Sequence, residues 1–286
     1  MSPIEQLVAE ELAIPADPRV TDMALAIAAR YPNAARSVLF YGSCLRESQL
    51  EGLMLDFYLI VSDYDAAYGH GWLAHANRLI PPNVFPFEHH GLIAKYAVLS
   101  EADFHRLNGP ETRNVSVWAR FAQPARLVWT ADDAAQGRAV DAVARAAPTL
   151  LAAAGSIDGE APLDWWRRAF ALTYSVELRA ERKSRSNSVV EADTARYQRF
   201  STAAMAAIPE GAQAGLWGRR RMEGKLLSVA RLAKAAFTYA GGIDYLAWKI
   251  NRHAGTQIEI KPWQRKWPLV AALVLVPKLL AKGAVR

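Results

Sequence analysis

Apolar residues recur along the first half of the chain with two different periods, which predict where helices and strands lie. Residues 20–31 place apolar side chains three and four positions apart, which predicts a helix with Thr21 as its N-cap. Short apolar runs rich in β-branched and aromatic residues predict strands. These runs cover residues 38–41, 53–61, 92–99 and 125–129. Residues 80–91 contain three prolines and are predicted to form a loop.

From about residue 140 onward the apolar spacing is typical of helices. The helical stretches cover residues 141–154, 163–183, 195–207 and 219–240. Strands followed by a run of helices predict an α+β fold. We expect a first domain over residues 1–150, a helical domain over residues 151–216 and a basic region over residues 217–286.

The net charge of +6 is concentrated at the end of the chain. Residues 217–286 hold 14 basic and 3 acidic residues, whereas residues 1–150 hold 12 basic and 17 acidic residues. A strongly basic segment predicts an anionic partner, either nucleic acid or an acidic lipid surface. The arginines at 219–221 are not accompanied by a recognised nucleic-acid-binding motif, so nucleic acid is not expected.

Residues 263–282 combine a short apolar run with tryptophans and cations. The run from Leu269 to Val276 is much shorter than the roughly 20 residues that span a bilayer. Trp263 and Trp267 flank it, and this arrangement favours the headgroup boundary of a membrane. A buried terminal helix is the alternative. The single cysteine, Cys44, indicates a reducing compartment, so we expect a cytoplasmic protein bound peripherally to the inner face of a membrane.

The candidate chemistry begins with an acidic residue inside a predicted strand. Asp56 has apolar neighbours on both sides, and burying its carboxylate is costly unless a cation or hydrogen bonds satisfy it. Asp56 is therefore either a structural residue paired with an arginine or a backbone turn, or a ligand of Mg²⁺, which prefers carboxylate oxygens. Upstream, Gly42 and Ser43 follow a strand, and such a turn lets backbone N–H groups approach phosphate oxygens.

The order of strand, Gly-Ser turn and in-strand aspartate resembles the DNA polymerase β-like nucleotidyltransferase superfamily. Within it, the chain resembles the mitochondrial-type phosphatidate cytidylyltransferases, the translocator assembly and maintenance family. The matching segments lie in the same order between residues 38 and 180, and they are FYGSC, LMLDFYLIVSD, AKYAVLS, ARFAQPARL and TYSVELR. The resemblance implies a nucleotidyltransferase domain with a mixed sheet, a helical domain and a basic amphipathic C-terminal helix that contacts a membrane.

The resemblance also implies a reaction and the residues that perform it. CTP and phosphatidic acid would form CDP-diacylglycerol and pyrophosphate, with Mg²⁺ as the cofactor. Gly42 and Ser43 would hold the CTP triphosphate, and Arg120 would contribute to nucleotide binding. Asp56 would bind Mg²⁺, and Lys95 would neutralise phosphate charge. From the residues alone, Lys95 has the alternative of facing solvent at a sheet edge.

Further matches concern a second metal ligand and the helical domain. Asp63 matches the acidic residue after the strand and is expected to share the metal with Asp56. The position two after Asp56 is Tyr58, where most of the superfamily has a second carboxylate. Side chains alternate along a strand, so Asp63 can join Asp56 only if the chain turns after Val61. The other candidate donors are Asp65, Glu88 and Glu177. Lipid or phosphate binding is implied for Tyr174, Glu177 and Arg179.

The chain departs from the family pattern in ways that keep two alternatives open. Cys44 stands where the family has a second glycine, and Ala97 replaces the glycine of the third strand. One alternative is a nucleotidyltransferase with a different acceptor. The other is a catalytically degenerate relative that binds only a lipid or a partner protein. His89 and His90 have no partner at metal-ligand spacing, so we expect them to be loop residues.

Overall fold

A single mixed sheet organises the computed structural model, which describes residues 1–46, 50–176, 189–212, 214–238 and 261–262. The strands are β1 (Ala35–Tyr41), β2 (Met54–Val61), β3 (Asn83–His89), β4 (Leu92–Ser100) and β5 (Ala125–Thr130). Their order across the sheet is β3-β4-β2-β1-β5. β2 and β4 run parallel, and the other neighbours are antiparallel. The predicted α+β class and the four predicted strands are confirmed.

The prediction of a loop over residues 80–91 is wrong, because β3 lies within it. β3 pairs only with β4, at the edge of the sheet. Pro86 has no N–H to donate, and an edge strand tolerates this loss. The hairpin then turns at His90 and Gly91, which have φ values of 47° and 77°. Left-handed conformations at both central residues are typical of two-residue hairpin turns.

Helices cover both faces of the sheet and continue beyond it. The described helices of the first 150 residues are α1 (Pro3–Leu12), α2 (Pro18–Ala29), α3 (Tyr64–Tyr68), α4 (Trp72–Leu79), α5 (Glu101–Asn108), α6 (Trp118–Phe121), α7 (Asp133–Ala144) and α8 (Ala146–Ala154). The later helices are α9 (Pro162–Tyr174), α10 (Thr194–Ala206) and α11 (Trp217–Thr238). α2 confirms the helix predicted at 20–31. Its N-cap is Asp17 rather than Thr21, because Pro18 begins the helix and Asp17 accepts from the N–H of Arg19.

Alternating side chains of β2 separate two hydrophobic clusters, one on each face of the sheet. Phe57 and Leu59 face the cluster that contains α2, whereas Tyr58 and Ile60 face the larger cluster. The larger cluster continues into α8, α9 and α10. The helices on both sides of residue 150 therefore share one core, and the domain boundaries at residues 150 and 216 stay predictions.

The long helix α11 reaches back to the sheet and packs on β3. Arg231 of α11 donates from Nε to the carbonyl of Pro81 at 2.9 Å, so the end of the helix is tied to the segment before β3. Among the described helices, none combines the length and the apolar content needed to cross a bilayer. The predicted membrane-contacting segment at 263–282 lies outside the described residues.

Candidate functional site

Asp56 lies on β2 between β4, which carries Lys95, and β1, which the Gly42–Ser43 turn follows. It is opposite Tyr41 of β1 and opposite Lys95 of β4. Lys95 Nζ lies 2.7 Å from Asp56 Oδ1, and both side chains are about three-quarters buried. Oδ1 is buried, and among the described residues this contact is an ion pair rather than an aligned hydrogen bond. Among the described residues the partner of the in-strand acid is thus a lysine rather than an arginine, and this ion pair agrees with the structural alternative as well as with a site role.

The turn after β1 closes over the same carboxylate. Gly42 has a φ of +95°, a conformation that other residues rarely adopt. A Cβ atom at Gly42 would lie 3.4 Å from Asp56 Oδ2, so the backbone of the turn approaches the acid closely. Ser43 then begins a short 3₁₀ turn with its side chain exposed. The structure therefore brings Gly42, Ser43 and Asp56 together at one end of β1 and β2.

A cavity of about 150 Å³ adjoins this end of the sheet through Lys95. Four cations from three elements line it: Lys95 from β4, Arg120 from α6, and Arg231 and Lys234 from α11. Among the described residues no carboxylate lines the cavity. Asp56 contacts Lys95 but is not itself part of the lining. The lining also includes Tyr41, Tyr58 and Ser116. A small concave site with this charge is suited to an anion.

The cations of α11 are held in place by main-chain and hydroxyl oxygens. Lys234 is 8% exposed and donates to the carbonyl of Ile80. Burial, together with the charge of Arg231, lowers the pKa of Lys234 to about 7. Arg231 Nη1 donates to Ser116 Oγ at 2.9 Å, and Arg120 donates to the carbonyl of Ser116. Ser116 thus joins α6 and α11 at the wall of the cavity.

Asp63 does not reach the site, which corrects the expectation that it shares a metal with Asp56. β2 keeps a regular register with β4 through Val61, so the seven positions from Asp56 to Asp63 span roughly 20 Å. Asp63 is the N-cap of α3, and its Oδ1 accepts from the N–H groups of Asp65 and Ala66 at 2.8 Å. The chain turns after β2, but the turn leads away from Asp56.

The other candidate donors are also distant or outside the described residues. Asp65 lies in α3 and pairs with Arg78 at 2.5 Å. Glu88 shares the face of Asp56 but lies two strands away and two residues further along, at roughly 12 Å. Glu177 and Arg179 fall outside the described residues. Tyr174 ends α9, packs against the larger core cluster and does not line the cavity, so its lipid-binding role stays a prediction.

The residues present fit a magnesium site with a single protein carboxylate. Mg²⁺ is often held by one or two carboxylates, with water and substrate phosphate completing its shell. Asp56 supplies one carboxylate beside a turn suited to phosphate. Tyr58, on the same face of β2, supplies none. The geometry therefore agrees with a one-carboxylate site and not with the paired carboxylates typical of the superfamily.

A second group of polar side chains lies on the surface, away from the cavity. The donor atoms of Asp22, His89 and His90 lie within 4.8 Å of one another. His89 Nε2 lies 2.9 Å from Asp22 Oδ2, which ties the β3–β4 hairpin to α2. The expectation that His89 is a loop residue is wrong, because it ends β3. Its partner is 67 positions away, so spacing along the chain gave no sign of it.

Arg231, Lys234 and Ser116 were missed by sequence reasoning. The spacing of Arg231 and Lys234 places them on one face of a helix, which was the available signal. The basic charge of residues 217–286 predicts only an anionic partner for this region, because nothing local to α11 indicates that this face meets the sheet. Ser116 precedes a single-turn helix and has no motif around it.

Two comparisons with known proteins leave the family open. Neither a scan against protein-family models nor a search of curated proteins found a match to this chain.

Proposed function

We propose that the protein is a magnesium-dependent nucleotidyltransferase that joins CTP to phosphatidic acid, forming CDP-diacylglycerol and pyrophosphate. One observation carries the proposal: Asp56 lies against the glycine turn at Gly42 and pairs with Lys95, which leads into a cation-lined cavity. An acid, a phosphate-compatible turn and an anion-binding cavity are the parts that nucleotidyl transfer between two phosphates requires.

Each part has a role in the reaction. The N–H groups of the Gly42 turn and the hydroxyl of Ser43 bind triphosphate oxygens. Asp56 would hold Mg²⁺, which would offset negative charge on the triphosphate. Lys95 contacts Asp56 and lines the cavity, so its ammonium can donate to phosphate on either side. Arg120 contributes positive charge at the inner wall.

The reaction needs little acid–base chemistry from the protein. An oxygen of the phosphatidic acid phosphate attacks the α-phosphorus of CTP, and the bond to the β-phosphate breaks as pyrophosphate leaves with the bonding electrons. A phosphomonoester has its second pKa near 6, so the attacking oxygen is already deprotonated at neutral pH. The protein's main task is to bring two anions together, and the cavity cations reduce their repulsion.

The outer face of α11 supports attachment to a membrane surface. Met222, Leu226 and Val229 are exposed and spaced four and three residues apart, so they form one apolar stripe. Arg219 and Lys225 lie on either side of it on the same outward face. Apolar side chains between cations suit the interface of an anionic bilayer, where phosphatidic acid is found.

The test is pyrophosphate release from CTP, Mg²⁺ and vesicles that contain phosphatidic acid. We expect Asp56→Asn to lose at least about a hundredfold in rate. Asp158→Asn is the matched control, because Asp158 is exposed in the turn between α8 and α9 and does not line the cavity, and it should keep full activity. Equal rates for the wild type and Asp56→Asn, or no turnover with any nucleotide, would refute the proposal.

A second function, phosphate binding without catalysis, is favoured by two observations. Tyr58 occupies the position of the usual second carboxylate, and Asp56 is already paired with Lys95. Calorimetry together with the pyrophosphate assay separates the two functions: a non-catalytic relative binds the phosphate ligand but releases no pyrophosphate.

Transfer to a different acceptor is tested by deleting residues 263–286. Full activity on a soluble acceptor after the deletion would exclude a requirement for the lipid surface.

A further inference from the structure

We infer that the cavity is a phosphomonoester site, in which Arg231 and Lys234 of α11, together with Arg120, bind the terminal phosphate of the acceptor and discriminate against phosphodiesters. The inference rests on the proposed function for the role of this phosphate as acceptor. It goes further by assigning the binding residues and the chemical class that they select.

The arrangement of the donors suits a phosphate. The cations come from the sheet, from α6 and from α11, so they surround the cavity rather than line one side. Ser116 fixes the inner wall by accepting from Arg231 at its hydroxyl and from Arg120 at its carbonyl. Lys234 is more than nine-tenths buried and lies one helical turn from Arg231. A group in this cavity therefore meets charged donors from several directions, as the oxygens of a phosphate require.

The charge of the cavity lining favours a ligand with two negative charges. Among the described residues the lining carries four cations and no carboxylate, and one of the four, Lys95, is paired with Asp56 just outside the lining. A phosphomonoester carries close to two negative charges at neutral pH, and a phosphodiester carries one. Coulomb attraction grows with the charge of the ligand and is stronger away from bulk water. The lowered pKa of Lys234 indicates that its environment penalises a bare ammonium, and an incoming dianion removes that penalty.

The volume of the cavity limits how much of a ligand can enter it. Pockets that enclose a drug-sized ligand typically measure about 300–1,000 Å³, well above the roughly 150 Å³ of this cavity. Pro82, Val84 and Ala97 form an apolar part of the wall. The space suits a terminal phosphate, with the rest of the ligand outside. A diester carries a second substituent on the same phosphate, for which this volume leaves little room.

The position of the cavity separates this phosphate from those of the nucleotide. Asp56 and Gly42 do not line the cavity, and Asp56 lies in the sheet between Tyr41 and Lys95, which both do. A triphosphate at the turn and a monoester in the cavity would both be within reach of the Lys95 ammonium. Lys95 therefore marks where the two reacting phosphates meet, while Arg231 and Lys234 contact only the acceptor.

Calorimetric binding without CTP or Mg²⁺ tests the site directly. The ligands are sn-glycerol 3-phosphate, inorganic phosphate and a glycerol phosphodiester. We expect glycerol 3-phosphate to bind at least about tenfold more tightly than the diester, and Lys234→Met to weaken monoester binding by about tenfold or more. Arg221→Met is the matched control, because Arg221 is an exposed cation of the same helix that does not line the cavity, and the affinity of this variant for the monoester should equal that of the wild type. Similar affinities for both ligand classes would overturn the inference.

Vesicles distinguish a lipid headgroup from free phosphate. If the acceptor is a lipid, Lys234→Met should weaken binding to phosphatidylcholine vesicles that contain phosphatidic acid. Binding to vesicles with an equal charge from phosphatidylglycerol should not change, because its phosphate is a diester. A second outcome would exclude a lipid headgroup as the source of the bound phosphate. In that outcome Lys234→Met weakens the binding of inorganic phosphate but changes the binding of both kinds of vesicle by the same factor.

The pH dependence gives a readout that a merely structural role would not change. Lys234 has a pKa near 7 and must be protonated to attract the dianion, so affinity should fall as pH rises above 7. The charged groups around it are Arg231 of α11, Arg120 of α6 and Lys95 of β4; Tyr41 and Tyr58 also line the cavity. Lys234→Arg should restore binding and keep it up to higher pH, because arginine stays charged. The same fall in affinity with pH in Lys234→Met would refute the assignment.

The inference and the proposed function can fail separately. Monoester binding through Lys234 without pyrophosphate release would leave the inference intact and remove the nucleotidyl transfer. Turnover whose KM for phosphatidic acid is unchanged in Lys234→Met would leave the nucleotidyl transfer intact and remove the inference about Lys234.

Discussion

The buried ion pair between Glu11 of α1 and Arg196 of α10 gives a sharp test of how the helices are held to the sheet domain. Both side chains are at least nine-tenths buried. Arg196 donates from Nε to Glu11 Oε2, from Nη2 to Oε1 at 2.9 Å, and from Nη1 to the carbonyl of Ala122 at 3.0 Å. Its guanidinium lies 4.3 Å from the ring centre of Phe200. Each nitrogen of the guanidinium therefore donates to an oxygen, and the ring of Phe200 covers one of its flat faces.

Removing the acid leaves a buried cation without its countercharge. Burial alone lowers the pKa of Arg196, but the hydrogen bonds and the charge of Glu11 raise it above its usual value. Breaking a buried pair from one side typically costs about 3–5 kcal/mol. In a chain of 286 residues that corresponds to a fall in Tm of roughly 5–8 °C. We expect this loss for Glu11→Ala, measured by urea unfolding and by thermal denaturation.

The neighbouring acid provides the control. Glu10 is exposed and lies 3.7 Å from Arg199, so Glu10→Ala should change stability by less than about 0.5 kcal/mol. Replacing both Glu11 and Arg196 with methionine should recover part of the loss, because no buried charge then remains. Equal destabilisation by Glu10→Ala and Glu11→Ala would show that α1 and α10 do not meet in this way.

Three further predictions follow from the site and from α11. Gly42→Ala should cost about 1–2 kcal/mol in urea unfolding, because alanine does not favour a φ of +95°, and it should weaken CTP binding; unchanged stability and affinity would contradict the turn geometry. The pKa of Lys234 near 7 implies that the unfolded chain binds more protons between pH 7 and 10.5, so this lysine should make stability rise with pH by at most about 1.4 kcal/mol per unit. The free energy of unfolding, measured at pH 7, 8 and 9, should rise less with pH in Lys234→Met than in the wild type. An identical rise in the two proteins would contradict the lowered pKa of Lys234. Leu226→Asp should lower sedimentation with phosphatidic acid vesicles without loss of stability, whereas Leu25→Asp, which changes an exposed leucine of α2, should not; equal effects would count against the apolar stripe.

The sequence alone determined the elements whose signal is local. A run of apolar β-formers specifies a strand because alternating side chains can bury both faces, and β1, β2, β4 and β5 were predicted in this way. The α+β class follows from the order of such runs. The closeness of Gly42 and Asp56 was also accessible, because a turn and a nearby strand of the same short segment have few ways to pair.

The tertiary structure alone decided which distant groups share a site. β3 depends on being an edge strand beside β4, since only there is Pro86 tolerated. Asp63 was expected at the metal, but the straight course of β2 carries it to the opposite end of the strand. Arg231 and Lys234 reach the cavity because α11 folds back on β3. Sequence periodicity determines which residues share a face of an element, whereas the partner of that face depends on how the whole chain packs.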